Sequence, residues 1–291
     1  MTRILEGRTA IITGANQGMG LEIASHYVKA GANVLLCARN GDILEGARKQ
    51  VECLAEPNQV VRAQVADVSK VDDVKQLVDG ALAQFSQVHI LVNNAGVYGP
   101  KGLIEDVDWA SWVQAIEVNL MGSILMCRAV LPHFKGCGYG KIVQLSGGGA
   151  TSPMPRLSAY AASKAAIVRF VETLAEEVRN DHIDVNAIAP GALNTRLLDE
   201  IIDAGPEKVG KIFFERSVDQ KAQGGTPLNK GAELATFLGS AQSDGITGKL
   251  ISAVWDPWKD LHLHLDELNQ TDVYALRRIV PEDRGMNWGE Q

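Results

Sequence analysis

The pair Tyr160 and Lys164 stands four residues apart in Tyr160-Ala161-Ala162-Ser163-Lys164. On a helix such an i, i+4 pair shares one face, separated by about 6 Å along the axis. An ammonium so close stabilises phenolate over phenol and is expected to draw the tyrosine pKa down from about 10, toward a working proton donor. A second group lies at the amino end: Thr13-Gly14-Ala15-Asn16-Gln17-Gly18-Met19-Gly20 follows a β-branched run and opens a helical one. Glycines there allow a tight turn and close approach of a phosphate, and the helix amino terminus adds free N–H groups and a positive dipole end. In this position the turn favours binding of a dinucleotide.

About 20 residues on, an NAD site would usually carry an acid for the ribose 2′-hydroxyl. Arg39 stands there instead, and a guanidinium suits a 2′-phosphate, so NADP(H) is expected ahead of NAD(H). Asp67 and Val68 are expected near the adenine, with a helix cap as the competing role for Asp67. Asn93-Asn94-Ala95-Gly96 repeats the pattern of small, hydrogen-bonding residues after a fourth strand.

The elements that must position these groups alternate. Residues 9–13, 33–37, 60–65, 88–92, 141–145, 183–188 and 249–253 read as strands, and 19–30, 43–55, 71–85, 109–134, 159–179 and 231–240 show helical spacing. The order predicts an α/β fold, a Rossmann-type doubly wound parallel sheet whose ligands bind at the carboxyl ends of the strands. Residues 1–253 read as one dinucleotide-binding domain, with a flexible substrate loop at about 192–225 around Phe213-Phe214. Residues 254–291 read as a C-terminal extension.

The glycine turn, Asn93-Asn94-Ala95-Gly96, Asn119, Tyr160 with Lys164, and Pro190-Gly191 occur in an order and spacing that resembles the classical short-chain dehydrogenase/reductase family over residues 5–253. The resemblance implies that Tyr160 is the general acid or base and that Lys164 holds the nicotinamide ribose and tunes it. Asn119 would hold a water linking Lys164 to solvent. Gly14, Gly18 and Gly20, with Asn16, Gln17 and Met19, would form the pyrophosphate turn. Asn94, Ala95 and Gly96 would lie along the cofactor, and Pro190, Gly191 and Thr195 would meet the carboxamide.

Two departures stand out. The family places a catalytic serine 13 residues before the tyrosine; here that residue is Gly147, and Ser146 stands 14 before it. Ser146 is the preferred donor to the substrate oxygen, with the glycine-run N–H groups, Thr151 and Ser152 as alternatives. The second departure is the ending Trp255-Asp256-Pro257-Trp258 and the tail beyond, whose Arg277, Arg278 and Arg284 suit an anionic substrate group or surface pairs with nearby acids.

The expected activity is hydride transfer between NADP(H) and a ketone or secondary alcohol, as in a 3-oxoacyl reductase, by a homodimer or homotetramer. A sugar derivative is the alternative substrate, and Gly147 keeps open a nucleotide-binding sensor or structural subunit with little catalysis. The net charge of −7 and the absence of a basic block argue against nucleic acid or an anionic membrane as partner. Residues 1–8 lack an apolar signal core and no 18-residue apolar run occurs, so a cytoplasmic location is expected. Cys37, Cys53, Cys127 and Cys137 have no C-x-x-C spacing and are expected reduced and mostly buried. His262 and His264 lack a third ligand, so no metal is expected. Glycine is in excess, 29 of 291 residues, and the cofactor turn accounts for part of it.

Overall fold

The computed structural model describes residues 3–289. Seven parallel strands form one sheet in the order β3-β2-β1-β4-β5-β6-β7. They are β1 (Thr9–Thr13), β2 (Asn33–Ala38), β3 (Val61–Val65), β4 (Ile90–Asn93), β5 (Gly140–Leu145), β6 (Ile183–Ala189) and β7 (Leu250–Ser252). Strands covered on both faces need apolar side chains on both, and β1 and β5 are buried at every position. One core layer gathers Ile12, Ile23, Leu36 and Leu234; the other gathers Ile11, Leu35, Leu77 and Ile142.

Helices α1 (Gly18–Lys29), α2 (Gly41–Glu52) and α3 (Val71–Phe85) connect the first strands. The Asn40 side chain caps α2 by accepting from the Ile43 N–H at 3.0 Å. The single helix expected over 109–134 is two, α4 (Trp109–Ile116) and α5 (Gly122–Cys137), joined by a π-helical turn at Glu117–Met121. The pair is long and apolar enough by composition to cross a membrane, and 44% of its most apolar window is buried inside the protein. Helix α6 (Ser158–Glu177) follows β5.

The segment read as a loose substrate loop contains α7 (Arg196–Val209), kinked where Gly205 takes φ +77°, and α8 (Lys211–Gln223). Its glycines and Pro206 mark the helix joints. After α9 (Leu228–Leu238), β7 is three residues long, and its Leu250 N–H donates to the carbonyl of Tyr274 in the tail. Lys249 Nζ donates to Thr271 and Val273, and the Leu276 N–H donates to Glu172 of α6. The tail therefore packs on its own domain and covers the edge of β7. Helix α10 (Leu265–Gln270) lies within it. Cys37 and Cys127 are buried as expected, whereas Cys53 and Cys137 are exposed; all four are free thiols. No three His, Cys, Asp or Glu side chains are grouped for a metal among the described residues.

Candidate active site

The register of β1 with β2 and β4, and of β4 with β5, brings Thr13, Cys37, Asn93 and Gln144 to one level, so the loops beyond them meet. The strand order reverses between β1 and β4, which opens a crevice at the carboxyl ends. The cavity there has a volume of about 1180 Å³.

Its floor is the glycine turn. Gly14 takes φ +62° and Gly18 φ +56°, conformations that favour glycine. A Cβ on Gly20 would lie 2.4 Å from the Gly14 carbonyl oxygen and 2.5 Å from Asn94 Nδ2. Gly20 is thus required behind the turn and is itself buried outside the cavity, unlike Gly14, Asn16, Gln17, Gly18 and Met19, which border it. A Gly20→Ala variant is expected to bind NADPH at least about tenfold more weakly, the overpacking of 1–3 kcal/mol falling on the turn. Fluorescence titration with NADPH reads this, and an unchanged Kd contradicts it.

Asn94 Nδ2 donates to the carbonyls of Thr13 and Gly14, so it clamps the turn from across the crevice. Thr13 Oγ1 accepts from the N–H groups of Asn94 and Ala95. In the sequence Thr13 only opens the glycine motif, and this cross-strand role has no local signature.

Arg39 borders the cavity at the end of β2 with no carboxylate beside it on that strand, and it pairs with no described acid. Asp67 and Val68 also line the cavity. Asp67 Oδ1 accepts from the Ser69 N–H and hydroxyl. Although burial pushes the Asp67 carboxyl up, these bonds and the nearby Arg39 hold it below its ordinary value. Pro190, Gly191 and Thr195 complete the rim, with Thr195 Cγ2 3.6 Å from where a Gly18 Cβ would stand.

At the far end Tyr160 and Lys164 rise from α6. Lys164 Nζ donates to the Leu145 carbonyl at 2.9 Å and lies 5.6 Å from the Tyr160 ring centroid. Burial depresses the Lys164 ammonium to about 8. Burial also holds the Tyr160 phenol above its ordinary value, and Tyr98 adds to this. The lowered tyrosine pKa read from the spacing is thus absent here, because desolvation of the phenolate outweighs an ammonium bound to a carbonyl.

Asn119, buried in the π-helical turn, accepts from the Val97 N–H and donates to the Val97 carbonyl, both at 2.8 Å, and to Ser163 Oγ at 3.0 Å. Through these bonds the side chain braces the β4 loop against α6. The π turn supplies the extra residue that turns Asn119 inward, and π turns concentrate at functional sites.

Gly147 is fully extended (φ 179°, ψ 178°), and a Cβ on it would lie 2.4 Å from Tyr160 Oη. Position 147 therefore faces the tyrosine, with no hydroxyl to offer. Neighbouring side chains in extended backbone leave on opposite sides. Ser146 is 5% exposed, borders the cavity, and its Oγ has no hydrogen-bond partner among the described residues.

Tyr98, Met154 and Phe213 form an apolar wall opposite, on a cluster built around Leu157, Ile201 and Val209. Trp255 and Asp256 border the mouth, while Trp258 is buried against Phe237. Arg277 is engaged by Asp272 and Asp283, so it pairs on the surface and does not face the cavity.

The short chain dehydrogenase family model matches residues 8–205, the span that carries the turn, the β4 loop, Tyr160 and Lys164. The chain belongs to the short-chain dehydrogenase family. Membership makes this short-chain dehydrogenase an NAD(P)-binding oxidoreductase acting on CH–OH groups. Among its relatives, 3beta-hydroxysteroid dehydrogenase 1 of Eggerthella lenta is 36% identical over 249 residues, 84% of this chain and 91% of that one. The 7alpha-hydroxysteroid dehydrogenase of Escherichia coli is 31% identical over 254 residues, 85% and 93% of the two chains. Among solved structures, an NAD+-bound xylitol dehydrogenase superposes with a TM-score of 0.78 at 26% identity, covering 85% of this chain and 98% of that one. A gluconate 5-dehydrogenase from Burkholderia cenocepacia in complex with NADP and tartrate gives 0.75 at 26%, covering 86% and 94%. Relatives with either dinucleotide thus share this short-chain dehydrogenase's fold.

Proposed function

We propose that the chain transfers a hydride between NADP(H) and a bulky ketone or its secondary alcohol. The observation that carries this reading is one cavity running from the glycine turn to Tyr160 and Lys164, closed by the apolar wall of Tyr98, Met154 and Phe213. Gly14, Gly18 and Gly20, with Asn16, Gln17 and Met19, form the pyrophosphate turn, and Asp67 and Val68 flank the adenine. Asn94, Ala95 and Gly96 form the side of the cofactor cradle, and Pro190, Gly191 and Thr195 take the carboxamide. The cradle fits such a group: Gly14 and Gly18 take the left-handed backbone that a tight phosphate turn needs, and Lys164 lines the same cavity as that turn.

The bound nicotinamide supplies or accepts the hydride. Tyr160 Oη gives its proton to the substrate oxygen on reduction and recovers it on oxidation. Lys164 holds the ribose and stabilises the phenolate left behind. Asn119 is a positioning residue that holds Val97 and Ser163 on either side of Lys164. Ser146, with its free Oγ, is proposed as a hydroxyl bordering the cofactor pocket. A homodimer or homotetramer belongs to the same proposal, supported by exposed apolar surface at Trp109 and Met121 on the α4–α5 pair.

NADPH oxidation followed across ketosteroids and cyclic ketones tests the reading. Turnover is expected on at least one; cofactor binding with none turned over would return the chain to the sensor class. For the dinucleotide preference, Arg39→Ala is expected to weaken NADPH by about 10- to 100-fold, the loss of a charge-assisted bond worth 1.5–3 kcal/mol. NADH binding should move less than threefold, on the same grounds that it lacks the 2′-phosphate. Equal losses for both dinucleotides would refute Arg39 as the discriminator.

A further inference from the structure

A carbonyl oxygen has two lone pairs, and transfer of a proton from Tyr160 uses one. A second donor polarises the C=O bond before the hydride arrives, and it must stand beside Tyr160 Oη. Position 147 faces that point but holds glycine. Ser146 leaves the extended backbone on the other side. Of the hydroxyls that line the cavity, that of Tyr98 belongs to a ring packed directly on Tyr160.

Tyr98 follows Gly96, the residue beside Lys164, by two positions and borders the cavity. Its ring meets Tyr160 edge to face, with centroids 4.6 Å apart and planes at 61°. It is wedged in the apolar cluster with Met154 and Phe213, yet its hydroxyl makes no hydrogen bond to any described residue. A tyrosine hydroxyl in an apolar wall ordinarily finds a partner. The backbone beneath is held by Asn119, which pins Val97 through both its N–H and its carbonyl. On the outer side Lys101 Nζ lies 5.8 Å from the Tyr98 ring centroid and pairs with Glu200 at 3.4 Å. Burial and the Glu200 charge both hold the Tyr98 phenol above its ordinary value, so it keeps its proton at neutral pH and is able to donate it in a hydrogen bond.

We infer that Tyr98 is the second hydrogen-bond donor to the substrate oxygen, in the role that Gly147 leaves open. The inference rests on the ketone/alcohol reading above. In reduction the carbonyl carbon takes the hydride from the reduced nicotinamide and the oxygen takes the proton of Tyr160. Tyr98 keeps its own proton and strengthens its bond as charge grows on the oxygen. The arrangement also favours a ketone that brings its oxygen to the hydroxyl ends of the two phenol rings, with its bulk against Met154 and Phe213.

The experiment is Tyr98→Phe in the full chain, which keeps the ring packing and removes one oxygen. With any ketone of the panel that the wild type reduces, kcat is expected to fall about 10²-fold, the usual cost of one such donor. KM, NADPH affinity by fluorescence and Tm are expected to stay within twofold or a degree or two, which separates a donor from a packing residue. A kcat within threefold of wild type overturns the inference. So does a loss accompanied by weaker NADPH binding or a lower Tm, because that marks a structural role. Parallel Ser146→Ala and Thr151→Val variants identify the donor if Tyr98→Phe is silent. If the wild type reduces no ketone of the panel, the functional reading itself falls and takes this inference with it.

Discussion

Tyr160→Phe is expected to lower kcat by about 10³-fold, within the range attributed to a positioned general acid, while NADPH binds within about twofold of wild type. The two outcomes separate because Phe keeps the ring that packs edge-on against Tyr98 and removes only Oη. The cofactor turn lies at the other end of the cavity, built on Gly14, Gly18 and Asn94. The buried phenol is held above its ordinary pKa, so in the chain without cofactor it is fully protonated at neutral pH. It can give a proton to a ketone at once. For alcohol oxidation it must first lose that proton, which requires the ammonium of Lys164 nearby. Single-turnover kinetics with NADPH and a ketone read the first effect, and fluorescence titration reads the second. Turnover retained in Tyr160→Phe would remove Tyr160 from the reaction.

Lys164→Met is expected to reduce kcat about as strongly, and to stabilise the protein. The side chain is buried, and its only described partner is the Leu145 carbonyl; no carboxylate offsets the charge. Its pKa of about 8 lies below the ordinary 10.5, so between those values the unfolded chain binds more protons than the folded one. Stability from this group therefore rises with pH from about 8 to about 10.5, and at pH 7 the burial penalty is present in full. A pKa unit corresponds to about 1.4 kcal/mol, which puts the penalty on the order of 3 kcal/mol. Methionine fills the same volume without the charge, so Tm at pH 7 is expected to rise by about 3 °C or more. In the wild type, kcat/KM for ketone reduction is expected to decline as pH rises through about 8, where the free enzyme loses this ammonium. That limb is absent from the residual rate of Lys164→Met. A large fall in Tm, or an unchanged pH profile, would contradict this account. A residue that weakens the fold and is required for turnover is the usual trade between stability and activity at a site.

Features legible in the sequence were those whose geometry is set within a few residues. The i, i+4 spacing of Tyr160 and Lys164 puts both on one side of α6 wherever that helix lies. Gly14 and Gly18 take positive φ as the turn requires. Strand and helix periods placed all seven strands and the parallel order, with errors of one or two residues at their ends. In the segment 192–225 the glycines and Pro206 punctuate α7 and α8, so the two helices are hidden behind residues that locally signal a loop. The π turn at Asn119 was invisible because one inserted residue hardly disturbs an apolar helical period.

The sequence by itself determined the fold class, the dinucleotide turn and the tyrosine–lysine pair, because each rests on local backbone preference or on fixed helical spacing. It also raised the question of Gly147 by simple counting. Only the tertiary structure decided that position 147 faces Tyr160, that the Tyr98 ring packs on the Tyr160 ring and that Asn119 pins Val97. It likewise decided that the tail closes the β7 edge. These are contacts between residues 13 to 62 positions apart, as in position 147 with Tyr160, Asn119 with Val97 and Tyr160 with Tyr98. Their geometry is set by how strands register and helices pack, and no spacing along the chain encodes it.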